Sequence, residues 1–215
     1  MPMTKNSIVY LVDDDPRVLR ALARLLRIEG LETQSFSSPQ AFLEGHNPAR
    51  PGCAVVDMAM PGLDGLKLQR ALAVAEVPRP IIFLSGRSDV PTSVKAMKAG
   101  AVDFLTKPVK ADDLVAAVRR AIDIDLQMRR DQTQLNEVLQ RLGALTPRER
   151  EVLQHVVAGR LNKQIAAALG TVEKTIKVHR ARVMEKMHTR SVVELVRMTQ
   201  RAGIESQPNS TSGTA

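Results

Sequence analysis

The stretch C-A-V-V-D-M-A-M-P-G-L-D-G, from Cys53 to Gly65, decides how the first half of the chain is interpreted. Its first four residues are apolar and predict a short buried strand, which ends in the carboxylate of Asp57. Pro61 and Gly62 then break the element. The reactive groups of open α/β sheets lie beyond the carboxyl ends of the strands. Asp57 is therefore a candidate reactive group, although an isolated aspartate in such a place would more often simply cap the strand.

Other strand-like segments of residues 1–124 also end in polar groups. The first is followed by Asp13, Asp14 and Asp15, the fourth by Ser85 and the fifth by Lys107. Strands that alternate with helices predict a parallel sheet covered on both faces, here an α/β doubly wound (flavodoxin-like) domain. The predicted strands are 7–12, 31–36, 53–57, 80–84 and 102–105, and the predicted helices begin at Asp15-Pro16, Ser38-Pro39, about Asp64 and Asp89.

The carboxyl ends of neighbouring parallel strands share one crevice, so Asp13, Asp14 and Asp57 are expected to lie within a few ångströms of one another. Three carboxylates repel one another unless a cation compensates their charge, and oxygen-only ligands favour Mg²⁺. Asp57 would then be a nucleophile for in-line phosphoryl transfer, which gives an acyl phosphate. Lys107 would neutralise the phosphoryl oxygens, and Ser85 would donate a hydrogen bond to one of them.

Residues 7–122 resemble the receiver domain of two-component response regulators. The resemblance rests on V-D-D-D at 12–15, V-D-M-A-M-P-G-L-D-G at 56–65, L-S-G at 84–86 and K-A-G-A-V-D-F-L-T-K-P at 98–108. It implies that a cognate sensor histidine kinase phosphorylates the chain on Asp57.

The same resemblance implies the remaining site residues. Asp14 and Asp57 would be direct Mg²⁺ ligands, with Asp13 acting through water and the backbone carbonyl of Ala59 as a further ligand. Ser85 and Phe104 would form the switch pair, and the Lys107–Pro108 bond would be cis. For Phe104, plain core packing is an equally good interpretation.

No Pro or Gly interrupts the chain between Ala111 and Leu142, which predicts one long helix that leaves the first domain, with 125–142 as a helical linker. Its apolar residues follow a spacing close to 3.5, broken at Asp125 and Gln132. This face could pair two copies of the chain, or the helix could be a polar-surfaced spacer.

Residues 143–203 predict a small all-α domain. Thr146 with Glu149 forms a capping box before an apolar helix, Asn162 is expected to cap the next helix, and Ser191 with Glu194 forms a second box before the last helix. Between them, a turn leads into a basic helix at about 172–187. A short helix, a turn and a basic helix are typical of a helix-turn-helix, whose cationic face is predicted as Lys163, Lys174, Lys177, Arg180, Arg182 and Lys186.

N-K-Q-I-A-A-A-L-G at 162–170 and T-I-K-V-H-R-A-R-V-M-E-K-M at 175–187 resemble the LuxR-type helix-turn-helix. With the receiver, the chain resembles FixJ-type members of the NarL/FixJ class, and its long helix resembles the branch that includes styrene-response regulators. The resemblance implies that Lys177 and Val178 face bases, that Lys174, Thr175 and Arg182 contact phosphates, and that Leu195 and Val196 form a dimer face.

Two departures from the LuxR pattern affect the expected DNA contacts. Val172 replaces a frequent Ser cap, so Thr171 is expected to cap the basic helix instead. Ala181 replaces a lysine that contacts bases in some members, so the resemblance does not carry that base contact over to this chain.

Charge and composition support this division. Residues 143–203 carry 12 Lys+Arg against 5 Asp+Glu, whereas residues 1–124 carry 16 against 14. A near-neutral half joined to a basic half favours a double-stranded DNA partner for the second half. The chain has no Trp and one Tyr, which argues against a stacking platform for single strands.

The expected function is a cytoplasmic transcription regulator that is phosphorylated on Asp57, dimerises and acts with RNA polymerase. There is no long apolar run for a membrane, the lone Cys53 is a small core residue, and the tail 204–215 is expected to be disordered. The alternative is a Mg²⁺-dependent phosphohydrolase with an aspartyl-phosphate intermediate. Against it, Ala59 stands where such enzymes carry a second aspartate, and no substrate-binding cap domain is visible.

Overall fold

The computed structural model describes residues 6–60, 68–69, 72, 78–86 and 90–204 of the chain. The chain divides into two compact units, residues 1–130 and 131–215.

The first unit is built on five parallel strands in the order β2-β1-β3-β4-β5, which confirms the doubly wound sheet. Apolar runs form its three central strands, because a parallel sheet covered on both faces exposes neither side to water. The strands are β1 (Ile8–Val12), β2 (Glu32–Phe36), β3 (Gly52–Asp57), β4 (Ile81–Ser85) and β5 (Asp103–Thr106).

Helices cover the sheet where the capping signals predicted them. Asp15 accepts a hydrogen bond from the amide of Arg17 and begins α1 (Pro16–Ile28), and Ser38 accepts one from Ala41 and begins α2 (Pro39–Gly45). They are followed by α3 (Val90–Lys98) and by α4 (Ala111–Gly143), the long helix predicted without a break. Most of the helix expected from about Asp64 lies outside the described residues.

The core has two parts, one on each face of the sheet. One contains Leu22 and Leu26 of α1 and Leu114 and Val118 of α4. The other contains Phe42 of α2, together with Leu68, Leu72 and Ala96. The strand residues alternate between these two clusters, which fixes the sheet as the middle layer.

The second unit is helical. After the end of α4 come α5 (Pro147–Val157), α6 (Asn162–Ala168), α7 (Glu173–Lys186) and α8 (Val192–Arg201). One core cluster joins them, with Val152 and Leu153 of α5, Ile165 of α6, Ile176 of α7 and Leu195 of α8 all fully buried. None of the described helices is apolar over a stretch long enough to cross a bilayer.

The capping predictions of this unit were partly wrong. The Thr146–Glu149 box is present in both directions. Asn162, however, is the first helical residue of α6 and does not cap it, and the amide of Leu161 donates to Gln164 Oε1 instead. Before α7 the N-cap is Val172, with no side-chain hydrogen bond, so Thr171 does not cap that helix.

The last predicted box forms in one direction only. The Ser191 hydroxyl accepts from the amide of Glu194, whereas the Glu194 carboxylate reaches the amide of Arg190 rather than that of Ser191. Sequence spacing selects the residues of such boxes, but the backbone angles of the turn decide which amide each side chain reaches.

Candidate functional site

Three carboxylates meet at the carboxyl edge of the sheet. Val12 of β1 pairs with Val56 of β3, so Asp13 and Asp57 leave adjacent strands side by side. A carboxylate oxygen from each of Asp13, Asp14 and Asp57 lies within 4.8 Å of the others. Asp13 and Asp57 are 2 % and 4 % exposed, whereas Asp14 is exposed. The structure therefore brings these three predicted residues together.

Lys107 joins the carboxylates from the loop after β5. Its Nζ lies 2.6 Å from Asp13 Oδ2 and 2.9 Å from Asp57 Oδ1. Partial burial by itself lowers the pKa of Lys107, but its hydrogen bond to Asp13 and its ion pair with Asp57 outweigh this and raise the pKa above the ordinary lysine value. The backbone amide of Lys107 donates to Ser85 O at 2.7 Å, which ties the loop to β4, and the Lys107–Pro108 bond is cis, as expected.

The remaining contacts orient the two buried carboxylates. Asp13 Oδ1 accepts from the amide of Asp15 at 2.9 Å, and Asp57 Oδ2 accepts from the amide of Ala59 at 3.3 Å. Within the part of the chain that the structure describes, Asp57 Oδ1 has no hydrogen-bond donor of good geometry, so only the ion pair with Lys107 compensates it. Three carboxylates against one ammonium leave an excess of negative charge in a partly buried site. A divalent cation with oxygen ligands fits this donor set.

Ser85 lies on β4, the neighbour of β3, and Phe104 lies on β5, the strand beyond it at the edge of the sheet. Ser85 ends β4 and is 8 % exposed, one residue beyond the Leu84 that pairs with Asp57. Phe104 is half-buried on β5, pairs with Phe83 and packs against the core cluster that contains Phe42. These positions agree with both interpretations of Phe104, as a core residue and as a member of the switch pair.

The structure places most of the predicted DNA-binding residues on the accessible surface of α7. Lys174, Lys177 and Arg182 are exposed, as is Val178, at 45 %. Lys177 Nζ lies 3.6 Å from Glu173 Oε1 one turn earlier. Thr175 is half-buried. These side chains therefore occupy the face of the basic helix that the core leaves open.

Arg180 and Lys186, both predicted on the cationic face, have partners within the unit. Arg180 is half-buried, and its Nη1 donates to Asn162 Oδ1 at 3.1 Å, which links α7 to the start of α6. Lys186 donates to Glu149 Oε2 at 2.7 Å and to Ala144 O at 3.1 Å. The assignment of Lys186 to the cationic face is wrong, because its ammonium forms an ion pair with the buried carboxylate of Glu149 on α5.

The two predicted dimer residues, Leu195 and Val196, differ in burial. Leu195 is fully buried in the core of the second unit, so its assignment to a dimer face is wrong. The two residues were adjacent in sequence, but helical geometry turns Leu195 inward, whereas Val196 is half-buried. On the same helix, Val193 is 63 % exposed.

The Glu149–Lys186 pair predicts a pH dependence of the second unit. The hydrogen bond that the Glu149 carboxylate accepts from Lys186, together with one from the backbone amide of Thr146, lowers the pKa of Glu149 to about 2. Because the pKa of Glu149 is lower in the folded state than its unfolded value of 4.5, the ionised carboxylate stabilises the folded unit at pH values above 4.5. This stabilisation is lost as the pH falls from 4.5 towards 2. Glu149→Gln should therefore cost about 2–3 kcal/mol at neutral pH and flatten the acid limb. Urea unfolding followed by circular dichroism at pH 7 and pH 3 measures both effects.

Glu151→Gln is the matched control for this prediction. Glu151 lies on the same helix and pairs with Arg148 at 2.7 Å, but its side chain is 50 % exposed, against 3 % for Glu149. Because exposed pairs contribute little, this variant should unfold within about 0.5 kcal/mol of the parent. Equal losses for both variants would contradict the assignment of the pH dependence to Glu149.

Each of the two units matches a known protein family. Residues 9–119 match the response regulator receiver domain, and residues 143–199 match the luxR family of bacterial regulatory proteins. The response regulator protein TmoT of Ectopseudomonas mendocina is 45% identical over 197 residues, which cover 92% of this chain and 90% of TmoT. The transcriptional regulatory protein FixJ of Bradyrhizobium diazoefficiens is 40% identical over 202 residues, 94% of this chain and 98% of FixJ.

A solved structure of the response regulator StyR resembles this one with a TM-score of 0.80 at 39% identity, covering 91% of this chain and 99% of StyR. The match extends across both units, as do the matches to TmoT and FixJ. The chain therefore belongs to the NarL/FixJ class of two-component response regulators, DNA-binding transcription regulators with a receiver domain followed by a LuxR-type helix-turn-helix domain.

Proposed function

We propose that a cognate sensor histidine kinase phosphorylates this regulator on Asp57, and that phosphorylation drives homodimerisation and binding to double-stranded DNA. The observation that supports the proposal is the buried carboxylate of Asp57, which lies within 4.8 Å of those of Asp13 and Asp14 and 2.9 Å from the ammonium of Lys107. The regulator would act in the cytoplasm with RNA polymerase. We assign residues 1–124 to the receiver, 125–142 to the linker, 143–203 to the DNA-binding domain and 204–215 to the tail.

The residues divide the chemistry among them. An oxygen of Asp57 attacks the phosphorus in line, the P–N bond of the kinase phosphohistidine breaks, and its electron pair leaves on the imidazole nitrogen. Lys107 stays cationic, because its neighbouring carboxylates raise its pKa, and it neutralises a phosphoryl oxygen. Ser85, at the end of the next strand, donates a hydrogen bond to another.

The acidic cluster would hold Mg²⁺ through Asp13, Asp14, Asp57 and the backbone carbonyl of Ala59. When bound, the ion would neutralise charge on the phosphoryl oxygens. The protein contributes the spacing of the carboxylates, which the register of β1 on β3 sets before any ion arrives.

Dimerisation would begin in the receiver. The phosphoryl group would draw Ser85 inward, Phe104 would move into the vacated space, and the surface of α3 and β5 would change. That surface exposes Val94 and Met97, which are 44% and 45% exposed. In the second unit, Val196 is the remaining candidate dimer residue, beside the exposed Val193.

Sedimentation of the full chain with and without beryllofluoride and Mg²⁺ tests this function. We expect a monomer that becomes a dimer on activation. The dimer would then present two basic helices about one turn of DNA apart. Footprinting should then show a two-fold symmetric protected site. A chain that stays monomeric, or protects a single half-site while fully active, would contradict the dimer mechanism and leave the fold unaffected.

Salt dependence tests the predicted division of labour on α7. Lys174→Ala should reduce the slope of log affinity against log salt by about 0.9 without changing sequence preference, because one phosphate contact is lost. Lys177→Ala should relax preference at particular base pairs, by roughly 1–3 kcal/mol each. Fluorescence anisotropy with matched and mismatched duplexes measures both. Affinity that does not respond to salt would refute the phosphate contacts.

The phosphohydrolase alternative has less support. Ala59 lacks the carboxyl group that such an enzyme would use as its acid or base, and TmoT and FixJ are regulators. Catalytic turnover of a free phosphate ester would favour the enzyme, whereas a single stoichiometric phosphorylation favours the regulator.

A further inference from the structure

The first turns of the predicted linker are bound to the receiver by a buried carboxylate. Asp125 lies in α4 and is 0% exposed. Its Oδ2 accepts from the backbone amide of Gly52 at 2.8 Å and from Arg129 Nε at 2.8 Å. A charged group is buried this completely only when donors compensate it. Asp125 interrupts the apolar spacing of the helix, but its side chain is not solvated. It contacts the receiver instead.

Arg129 extends this contact to the loop between α2 and β3. Its Nη1 donates to Ala49 O at 3.1 Å, and its Nη2 donates to Pro48 O at 2.7 Å and to Arg50 O at 3.3 Å. The planar guanidinium thus binds the carboxylate through one edge and backbone carbonyls through the other. This geometry suits arginine and not lysine, whose ammonium has no fixed fork.

A second arginine, Arg79, also binds the loop between α2 and β3, so Arg129 contacts a loop that is already attached to the rest of the receiver. Arg79 is 6% exposed, and its guanidinium donates to Arg50 O at 2.8 Å and to Asn47 O at 2.9 Å. It also lies 5.2 Å from the ring centre of Tyr10, a fully buried residue of β1. Through these contacts, residues 125–129 of α4 are joined to the central strands.

Strand β3 connects this contact to the phosphoacceptor. Gly52 is its first residue and Asp57 its last, so the two sites lie at opposite ends of one buried strand. Asp125 therefore contacts the end of β3 opposite the acidic cluster, and we expect substitutions at Asp125 or Arg129 to leave the phosphoacceptor in place. This separation allows phosphorylation and transmission to be measured independently.

We propose that Asp125 and Arg129 are positioning residues, which hold α4 to the amino-terminal edge of the receiver sheet so that the receiver can control DNA binding through this helix. The proposal rests on the proposed function, because it assumes that phosphorylation controls DNA binding. Without these contacts, the helix at 125–130 would open locally while the receiver still accepts phosphate. The two residues act through backbone groups of the receiver and not on the phosphoryl group.

Hydrogen exchange of the full chain tests the structural part. Asp125→Asn and Arg129→Gln should each make the amides of 125–130 exchange about tenfold faster, because each removes the charge-assisted hydrogen bond between the buried Asp125 and the half-buried Arg129. Asp123→Asn is the matched control, since it changes the same charge at an exposed position two residues earlier in α4 and should exchange like the parent. Exchange equal to this control in both variants would overturn the proposal.

Two further measurements test transmission. Phosphate uptake from a small phosphodonor with Mg²⁺ should equal that of the parent, whereas the gain in DNA affinity on phosphorylation should fall several-fold. Faster exchange with an undiminished gain in affinity would overturn the positioning role. If the parent itself takes up no phosphate, the proposed function fails, while the exchange result still decides whether the contact holds the helix.

Arg129→Lys guards against a variant that simply fails to fold. Lysine keeps the charge and the aliphatic stem but cannot bind the carboxylate and the loop carbonyls together. It should retain the circular dichroism of the parent and give part of the exchange increase of Arg129→Gln. A lysine variant indistinguishable from the parent in exchange and in phosphorylation-dependent affinity would show that only the charge at 129 matters and would overturn the positioning role.

Discussion

Asp57→Asn is expected to abolish phosphate uptake completely. Asparagine fills the same space and keeps an oxygen near the amide of Ala59, but a neutral amide cannot act as the nucleophile that forms an acyl phosphate. Intact-protein mass spectrometry after incubation with a small phosphodonor and Mg²⁺ should show one added phosphate in the parent and none in the variant. The increase in DNA affinity on phosphorylation should disappear with it.

Asp103→Asn is the control for this variant. It makes the same chemical change in the same unit, at a carboxylate that pairs with Arg120 on the surface. It should take up phosphate like the parent. Labelling of Asp57→Asn equal to that of the parent would show that another residue accepts the phosphate, and Asp13 and Asp14 would then need the same test.

The second large effect is expected at Gly52. Its φ is +148°, and a Cβ added to it would lie 1.8 Å from Ile8 O in the adjacent strand β1. Alanine must therefore move one of two central strands and would also disturb the amide that donates to Asp125. We expect Gly52→Ala to destabilise the receiver by about 3–5 kcal/mol, a large part of the stability of a domain. Urea unfolding of the full chain, followed by circular dichroism, measures this loss.

Gly30→Ala separates backbone strain from steric overlap. Gly30 also has a positive φ, +75°, but nothing lies within 4 Å of an added Cβ. This variant should lose only about 1 kcal/mol, which is the typical conformational cost of a side chain at such a residue. If both variants lose the same amount, overlap with Ile8 is not the reason for the glycine at position 52.

The sequence was most informative where a local rule sets the structure. Apolar runs marked the strands, Asp15 and Ser38 marked helix starts, and the uninterrupted stretch from Ala111 predicted the long helix. The acidic cluster was also predictable, because neighbouring parallel strands end at the same edge and the runs before Asp13 and Asp57 are both strands.

Prediction was weaker wherever a side chain chooses among several partners. Lys186 and Lys174 lie on the same basic helix, yet one binds the buried Glu149 and the other is exposed. Leu195 and Val196 are neighbours, yet only the first is fully buried. For Lys186, a residue 37 positions away decides the outcome, whereas for Leu195 and Val196 the helix turns one neighbour into the core and the other away from it.

The sequence by itself determined the parallel sheet, its covering helices, the carboxylates at its edge and the basic helix of the second unit, because these depend on periodicity and on residues close together along the chain. Only the tertiary structure decided that Lys107 bridges Asp13 and Asp57, and that Asp125 is buried against Gly52. Those contacts join residues 94, 50 and 73 positions apart, and no local pattern specifies them. The physical reason is that burial and charge compensation depend on which distant segments pack together, and that is settled only when the whole chain has folded.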